Sequence, residues 1–158
     1  MAFVFDADVL STFAKIKKLS LLKRLFGKSY LLIPPAVISD LASSKLPLVK
    51  DVLASKIFQH TKLSLQESNL VKNIYYQKNL GRGEVECIAV CKMRNFTLVT
   101  NDNKAIQLAE NLNINVVDLE TILYSLKELA NKNQLKQIIN DIETKDKVII
   151  INKQDILK

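Results

Sequence analysis

Thiol and imidazole chemistry is almost absent from this chain. It contains two cysteines, Cys87 and Cys91, and one histidine, His60. Two cysteines exclude a disulfide-rich scaffold and a four-cysteine metal site, and one histidine excludes a zinc site built on several imidazoles. Spaced four apart on a predicted helix, the cysteines are expected to be buried apolar side chains. Three glycines and three prolines leave little room for a linker. No apolar run approaches the roughly 20 residues of a membrane-spanning helix.

The composition is that of an ordinary globular domain with a basic excess. The 158 residues are 48% hydrophobic and 25% charged, which predicts one folded domain. The net charge is +7, and all of it lies in residues 1–117, because residues 118–158 carry seven charges of each sign. A basic excess indicates a polyanionic partner without identifying it. The N-terminus shows no basic segment followed by an apolar one, so we expect no signal peptide and a cytoplasmic protein.

Short apolar runs alternate with segments of helical spacing along the whole chain. We predict strands at residues 2–5, 30–33, 57–61, 96–100, 114–117 and 147–151, and helices at 9–18, 19–26, 36–43, 46–56, 66–78, 83–94, 104–112, 119–130 and 134–142. This alternation predicts an α/β fold with a mainly parallel central sheet and helices on both faces. Such sheets bind ligands beyond the carboxyl ends of their strands, so the residues that end the strands are the informative ones.

Four carboxylates follow strands or begin helices in this pattern, namely Asp6, Asp40, Glu84 and Asp102. Gathered at one sheet edge, they would repel one another and raise each other's pKa, which a divalent cation would relieve. Oxygen ligands alone favour Mg²⁺ or Mn²⁺ over Zn²⁺. Helix capping is the simpler explanation for Asp6 and Asp102, and Asp8 is a predicted N-cap of the first helix.

Only one of Glu84 and Glu86 can join such a site. The two residues are about 200° apart around a helix, so their side chains face opposite sides. Periodicity leaves the choice open, because the helix dipole favours acids anywhere in a first turn.

Four segments together resemble the PIN domain family. Residues 3–10, FVFDADVL, look like the family's opening strand and Asp-x-(Asn/Ser/Asp)-(Val/Ile)-Leu motif. Residues 33–41, IPPAVISDL, are similar to its P-x-V-x-x-E-L helix, with aspartate where glutamate is common. Residues 80–89, LGRGEVECIA, resemble its GE-x-E-x-I-A motif, and residues 98–102, LVTND, its fourth motif. Asp102 follows Glu84 by eighteen residues, the usual spacing in the family, which selects Glu84 over Glu86.

The resemblance covers residues 2–118 and implies a three-layer α/β/α fold. Residues 1–118 would form the core, and residues 119–158 a C-terminal extension with extra helices in the same single domain. The implied activity is that of a metal-dependent endoribonuclease, a hydrolase of phosphodiester bonds, as in VapC-type toxins and stand-alone PIN proteins. An antitoxin and a second copy of the chain are the protein partners implied, and no membrane is.

The resemblance also assigns roles to the site residues. Asp6, Glu84 and Asp102 would hold Mg²⁺ or Mn²⁺, with Asp40 a ligand directly or through water. Such ions neutralise the phosphodiester and lower the pKa of a bound water. Residues that would support the ligands or the phosphate through hydrogen bonds are Asp8, Thr100 and Asn101.

Basic residues near these motifs are expected to hold the phosphates of RNA. They are Lys15, Lys17, Lys18, Lys23, Arg24 and Arg82. A solvated helix face in a lysine-rich protein explains the first five nearly as well. DNA stays an alternative substrate, because the motifs act on the phosphate and do not read the 2′-hydroxyl.

Two other interpretations compete with a nuclease. Residues 6–8 also fit the DxD pair of a haloacid-dehalogenase-like phosphatase, with Thr100 near its strand-ending threonine. That interpretation lacks a downstream acidic pair and leaves Asp40 and Glu84 without a role. The second is a PIN-like nucleic-acid-binding protein without catalysis, to which the departure at Asp40 points.

Overall fold

A five-stranded parallel sheet organises the chain. The structure is a computed structural model that describes residues 1–77, without the side chain of Gln77, and residues 79–158. The strands are β1 (Ala2–Phe5), β2 (Tyr30–Ile33), β3 (Gln59–His60), β4 (Thr97–Val99) and β5 (Val116–Val117). Their order is β3-β2-β1-β4-β5, and each neighbouring pair is parallel. The predicted α/β fold with a parallel sheet is confirmed.

The strand order places the ligand-binding edge between β1 and β4. From β1 the chain builds outward through β2 and β3, then returns to the other side of β1 for β4 and β5. Right-handed crossovers in opposite directions put helices on both faces and open a crevice where the order reverses. All four residues of β1 are buried, as expected of a strand covered on both faces.

Ten α-helices in the described residues surround the sheet. They are α1 (Ala7–Lys15), α2 (Leu19–Phe26), α3 (Pro35–Ala42), α4 (Pro47–Ala54), α5 (Leu65–Gln77), α6 (Arg82–Arg94), α7 (Asn103–Asn111), α8 (Leu119–Ser125), α9 (Lys132–Asp141) and α10 (Lys153–Ile156). Proline begins α3 and α4, where its missing N–H costs nothing. Of the predicted helix at 66–78, the last residue lies outside the described residues. No helix in the described parts of the chain has the length and apolar character that a membrane crossing requires.

Helix α6 lies deepest in the fold. Its residues from Val85 to Cys91 are all buried, so both cysteines are buried as predicted. Burial also raises the pKa of the Cys87 and Cys91 thiols above the usual range, which keeps them protonated. The chain leaves this helix at Asn95, whose left-handed φ of 56° turns it toward β4.

The predicted strand at residues 147–151 is wrong. Lys147 adopts a left-handed φ of 58° and ends a π-helical turn, Ile142–Asp146, which breaks the extended path. The hydrophobic run that suggested a strand buries Ile150 alone, while Ile149 and Ile151 are 79% and 85% exposed. The helix predicted at 119–130 is also shorter, since α8 ends at Ser125 and continues as a 3₁₀ turn.

The C-terminal segment packs against the core and is tied to α1. Ile139, Ile142 and Ile156 are buried in the same cluster as the sheet residues. The carboxylate of Asp146 accepts hydrogen bonds from the hydroxyl of Thr12 and, at 2.6 Å, from the ammonium of Lys15.

Candidate metal centre

The first carboxylate of the site stands where β1 ends. Asp6 is 5% exposed, and its Oδ1 accepts a hydrogen bond from the Ala7 N–H at 2.8 Å. Its Oδ2 accepts from the hydroxyl of Thr100 at 3.0 Å, across the β1–β4 pair. Asp6 is therefore the N-cap of α1, and the prediction that Asp8 caps this helix is wrong, because the helix already begins at Ala7.

Asp8 joins the turn after β1 to the turn after β4. Its Oδ2 accepts from the backbone N–H of Asn101 at 2.9 Å, and its Oδ1 from the N–H of Val9 at 2.7 Å. The hydroxyl of Thr100, which is completely buried, lies 3.4 Å from Asp8 Oδ2 and accepts from the Asp102 N–H at 3.2 Å. Thr100 thus links the segments that carry three carboxylates.

Glu84 and Asp102 each bind the backbone at a helix start. Glu84 Oε2 accepts from the Gly81 N–H at 2.8 Å and holds the entry to α6. Asp102 Oδ1 accepts from the Ala105 N–H at 2.8 Å and caps α7. The capping interpretation and the site interpretation are therefore not exclusive here, because a carboxylate has two oxygens and each cap occupies one.

Asp40 reaches the same region from α3, and its carboxylate lies close to the backbone of Gly83. A Cβ placed on Gly83 would lie 2.9 Å from Asp40 Oδ2, 3.4 Å from a methyl of Val37 and 3.8 Å from Asp6 Oδ1. At the first distance, the Asp40 carboxylate would have to move away from a Cβ at this position. Gly83 therefore leaves space in which Asp6 and Asp40 approach each other beside the first turn of α6.

Glu86 serves the helix that carries Asp40. It is 2% exposed, and its Oε2 accepts from the backbone N–H of Ala36 at 2.9 Å. Pro34, at the N-cap position of α3, offers no side-chain cap, so Glu86 satisfies one free N–H of that helix from α6.

The electrostatics show how crowded these carboxylates are. Burial, and then the charge of Asp8, raises the pKa of Asp6 to about 7. Burial also raises the pKa of Asp8, with Asp102 adding to it, and the pKa of Asp40. The pKa of Glu84 is raised by burial and by the charges of Asp102, Asp8 and Asp40. The structure therefore brings Asp6, Asp8, Asp40, Glu84 and Asp102 together as one acidic cluster.

The donor set of the acidic cluster fits a hard divalent cation. Within residues 1–77 and 79–158, no three His, Cys, Asp or Glu side chains are already gathered closely enough to hold a metal ion. The cluster nevertheless consists of oxygen donors alone, which Mg²⁺ and Mn²⁺ prefer.

The predicted phosphate-binding residues lie in several places. The ammonium of Lys15 is paired with Asp146, and Lys17 lines a surface cavity with Lys145. Lys18 and Arg24 line a groove between α2 and α9. Lys23 is exposed near the end of α2. Arg82 stands beside the acidic cluster, where its charge partly offsets the burial that raises the pKa of Glu86.

An ion pair that the sequence motifs do not indicate joins Arg94, at the end of α6, to the buried carboxylate of Glu67 on α5. Glu67, 2% exposed, accepts from Arg94 Nε at 2.6 Å and from Nη2 at 3.0 Å. It also accepts from the Ser64 N–H, and Ser64 accepts from the Glu67 N–H. A sequence signal for this residue exists, because Ser-x-x-Glu before a helix is a capping box.

Comparisons with known proteins agree with this architecture. The model of a family described as a PIN domain matches residues 2–153. Two solved structures are similar with a TM-score of 0.58. VapBC2 from Rickettsia felis, bound to a DNA fragment from its promoter, has 14% identity and covers 75% of this chain and 98% of its own. PAE2754 from Pyrobaculum aerophilum has 16% identity, and the match covers 81% of this chain and 90% of PAE2754. A search of curated proteins finds no match. Because the family model spans nearly the whole chain, this protein belongs to the PIN domain family.

Proposed function

We propose that the protein is a metal-dependent endoribonuclease whose active site is the acidic cluster. One observation carries the proposal: five carboxylates from the ends of β1 and β4 and from α3 and α6 share one sheet edge. Burial raises the pKa of four of them there, and mutual repulsion adds to the rise in all of these but Asp40. Such an arrangement costs stability, which a catalytic role would explain. Members of the PIN family are generally nucleases, and this supports that role.

Some residues of the site would bind the cations, and others would orient the binding carboxylates and the neighbouring backbone. Glu84 and Asp102 have one oxygen each on a backbone N–H, which fixes the carboxylate while the second oxygen stays available. Both oxygens of Asp6 accept hydrogen bonds, from the Ala7 N–H and the Thr100 hydroxyl, and each keeps a further lone pair for a cation. When bound, Mg²⁺ or Mn²⁺ would neutralise the phosphodiester and favour attack by water. Thr100 orients Asp6, and Asp8 holds Asn101 in the neighbouring turn. Asp40 completes the cluster from α3.

The test is cleavage of a labelled single-stranded RNA with Mn²⁺, repeated in EDTA. We expect Asp6→Asn and Asp102→Asn to lower the rate by about 100-fold or more, because each removes a negative charge that holds the cation. Asp51→Asn is the matched control, since Asp51 is an exposed aspartate on α4 and is not a member of the acidic cluster. Wild-type cleavage by Asp6→Asn, or equal cleavage in EDTA, would contradict the assignment. A DNA strand of the same sequence tests the choice of RNA.

We further propose that the protein acts as the toxin of a toxin–antitoxin pair and forms a homodimer. The likeness to VapBC2 supports the first part. Induced expression should arrest bacterial growth, and Asp6→Asn should not. Light scattering coupled to size-exclusion chromatography tests the second part, and a monomer at high concentration would contradict it.

A further inference from the structure

A cavity lies between the two segments that position Glu84 and Asp102. Its volume is about 340 Å³, within the ~300–1,000 Å³ typical of small-molecule sites. On one side it is bounded by the segment that precedes α6, and on the other by one face of α7. Its lining residues are Asn79, Leu80, Lys104, Gln107, Leu108 and Asn111.

The chain links this cavity to the acidic cluster through Leu80 and Lys104. Leu80 precedes Gly81, whose N–H holds the carboxylate of Glu84. Lys104 is the second residue of α7, the helix that Asp102 caps. A polynucleotide strand with one phosphate at the acidic cluster would therefore have an adjacent nucleotide within reach of the cavity.

The lining side chains match the parts of a single nucleotide. Lys104, Gln107, Leu108 and Asn111 follow the i, i+3, i+4, i+7 spacing of one helix face. The amides of Gln107 and Asn111 are exposed and make no hydrogen bond within the described parts of the chain. Each amide offers a donor next to an acceptor, the pattern that pairs with a base edge, and the lysine ammonium suits a phosphate.

The apolar part of the lining fits the flat face of a base. Leu80 and Leu108 are half-buried and lie among the polar side chains. Stacking on apolar or aromatic side chains with hydrogen bonds to the base edge is how proteins read single-stranded RNA. A base within a duplex has both faces covered by neighbouring bases, so a base whose face lies on Leu80 and Leu108 is unpaired.

We propose that this cavity binds one unpaired nucleobase of the substrate next to the scissile phosphate and sets the sequence at which the strand is cut. The proposal rests on the proposed nuclease function, which it deepens by naming the residues that select the substrate. Gln107 and Asn111 read the base, and Lys104 holds its phosphate without regard to sequence.

The experiment measures the binding of fluorescein-labelled A, C, G and U ten-mers by fluorescence anisotropy in EDTA, where no cleavage occurs. Wild-type protein should prefer one base, and Gln107→Ala and Asn111→Ala should each reduce that preference about five-fold or more. Lys104→Gln should weaken binding to all four oligomers alike and lower the salt dependence. Asn133→Ala, an exposed amide on α9, is the matched control and should change neither. Alanine is the better helix former, so the variants keep α7 intact.

Each outcome decides the matter. A wild-type protein that binds no oligomer, or binds all four equally, overturns the proposal, as does a preference that survives both amide variants. Base preference without Mn²⁺-dependent cleavage would support the nucleotide site and contradict the proposed nuclease function. Cleavage without base preference would support the nuclease function and contradict the proposed nucleotide site.

Discussion

Asp6 and Glu67 are both nearly inaccessible carboxylates, yet their surroundings act on the charge in opposite directions. Glu67 accepts two hydrogen bonds from the guanidinium of Arg94 and one from the Ser64 N–H, and these outweigh burial and lower its pKa. Asp6 faces Asp8 and Glu84 instead of a cation, and its pKa is raised to about 7. At similarly low solvent exposure, the neighbouring groups therefore stabilise the charge of Glu67, whereas deeper burial and like charges destabilise that of Asp6.

Glu67 therefore stabilises the folded state in its charged form, whereas the charged form of Asp6 destabilises it. The pair of Glu67 and Arg94 holds α5 against α6, and a buried pair that lost one partner would leave an uncompensated charge. The acidic cluster has no such internal partner in the described residues; its hydrogen bonds come from backbone N–H groups and Thr100. A cation from outside would supply what Arg94 supplies to Glu67.

Removing Arg94 should cause the largest loss of stability. We expect Arg94→Ala to lower the free energy of unfolding by about 3 kcal/mol, because it leaves the carboxylate of Glu67 buried and unpaired. Urea denaturation measures this loss. Arg94→Lys keeps the charge but loses the two-pronged geometry and should fall between the alanine variant and the wild type. An alanine variant as stable as the wild type would show that the ion pair contributes nothing.

Adding Mn²⁺ should stabilise the acidic cluster by nearly as much. At a concentration 100 times the dissociation constant, a ligand that binds only the folded state adds about 2.7 kcal/mol. Thermal unfolding with and without Mn²⁺ measures the gain, which should disappear in Asp6→Asn and persist in Arg94→Ala. Equal stabilisation of Asp6→Asn would place the cation elsewhere.

Neutralising Asp6 should stabilise the metal-free protein. In EDTA at pH 8, we expect Asp6→Asn to raise the free energy of unfolding by about 2 kcal/mol, because it removes a buried negative charge from the acidic cluster. The amide keeps an acceptor for the Ala7 N–H. Glu67→Gln should have the opposite sign, since it weakens the bonds to Arg94.

The pH dependence of these two variants should also differ in sign. The folded state holds a proton on Asp6 up to a pKa of about 7, whereas the unfolded state loses it near 3.8. Asp6 should therefore lower wild-type stability by up to about 1.4 kcal/mol per pH unit between those values. Asp6→Asn should lack this contribution and keep those of Asp8, Asp40 and Glu84. Because the pKa of Glu67 is lowered in the folded state, its charge stabilises the fold at pH values above the unfolded pKa of 4.5. This stabilisation is lost as the pH falls below 4.5 and through the folded pKa. Denaturation from pH 3.5 to 8 separates the two, and parallel profiles for Asp6→Asn and wild type would contradict the raised pKa.

Asp146 tests an intermediate case and should show the smallest effect. Its carboxylate is buried but is paired with a lysine that keeps a quarter of its surface exposed. We expect Asp146→Asn to cost about 1 kcal/mol, measured by urea denaturation, because a lysine can return to water more easily than an arginine held at two points. A loss as large as that of Arg94→Ala would show that burial matters more than the type of partner.

The strands, the helices and most of the acidic cluster could be predicted locally. Apolar runs bounded by carboxylates mark β1 and β4, and parallel pairing alone places Asp6 near Asp102. The failure at residues 147–151 has a physical cause, since an apolar run cannot form a strand without a free sheet edge beside it, and its neighbouring backbone turns at Lys147. The basic residues were the least predictable, because a charge count does not tell which ammonium groups, such as that of Lys15, find a partner.

Residue type and spacing by themselves determined the α/β class, the family motifs and the absence of thiol and imidazole donors among the ligands proposed. Tertiary structure decided the rest. It gave Glu86, which the motif spacing leaves out of the site, the role of capping α3. It also gave Asp6 and Glu67 opposite pKa shifts. The reason is that a carboxylate's chemistry depends on which groups the folded chain brings within a few ångströms of it, and those groups come from distant parts of the sequence.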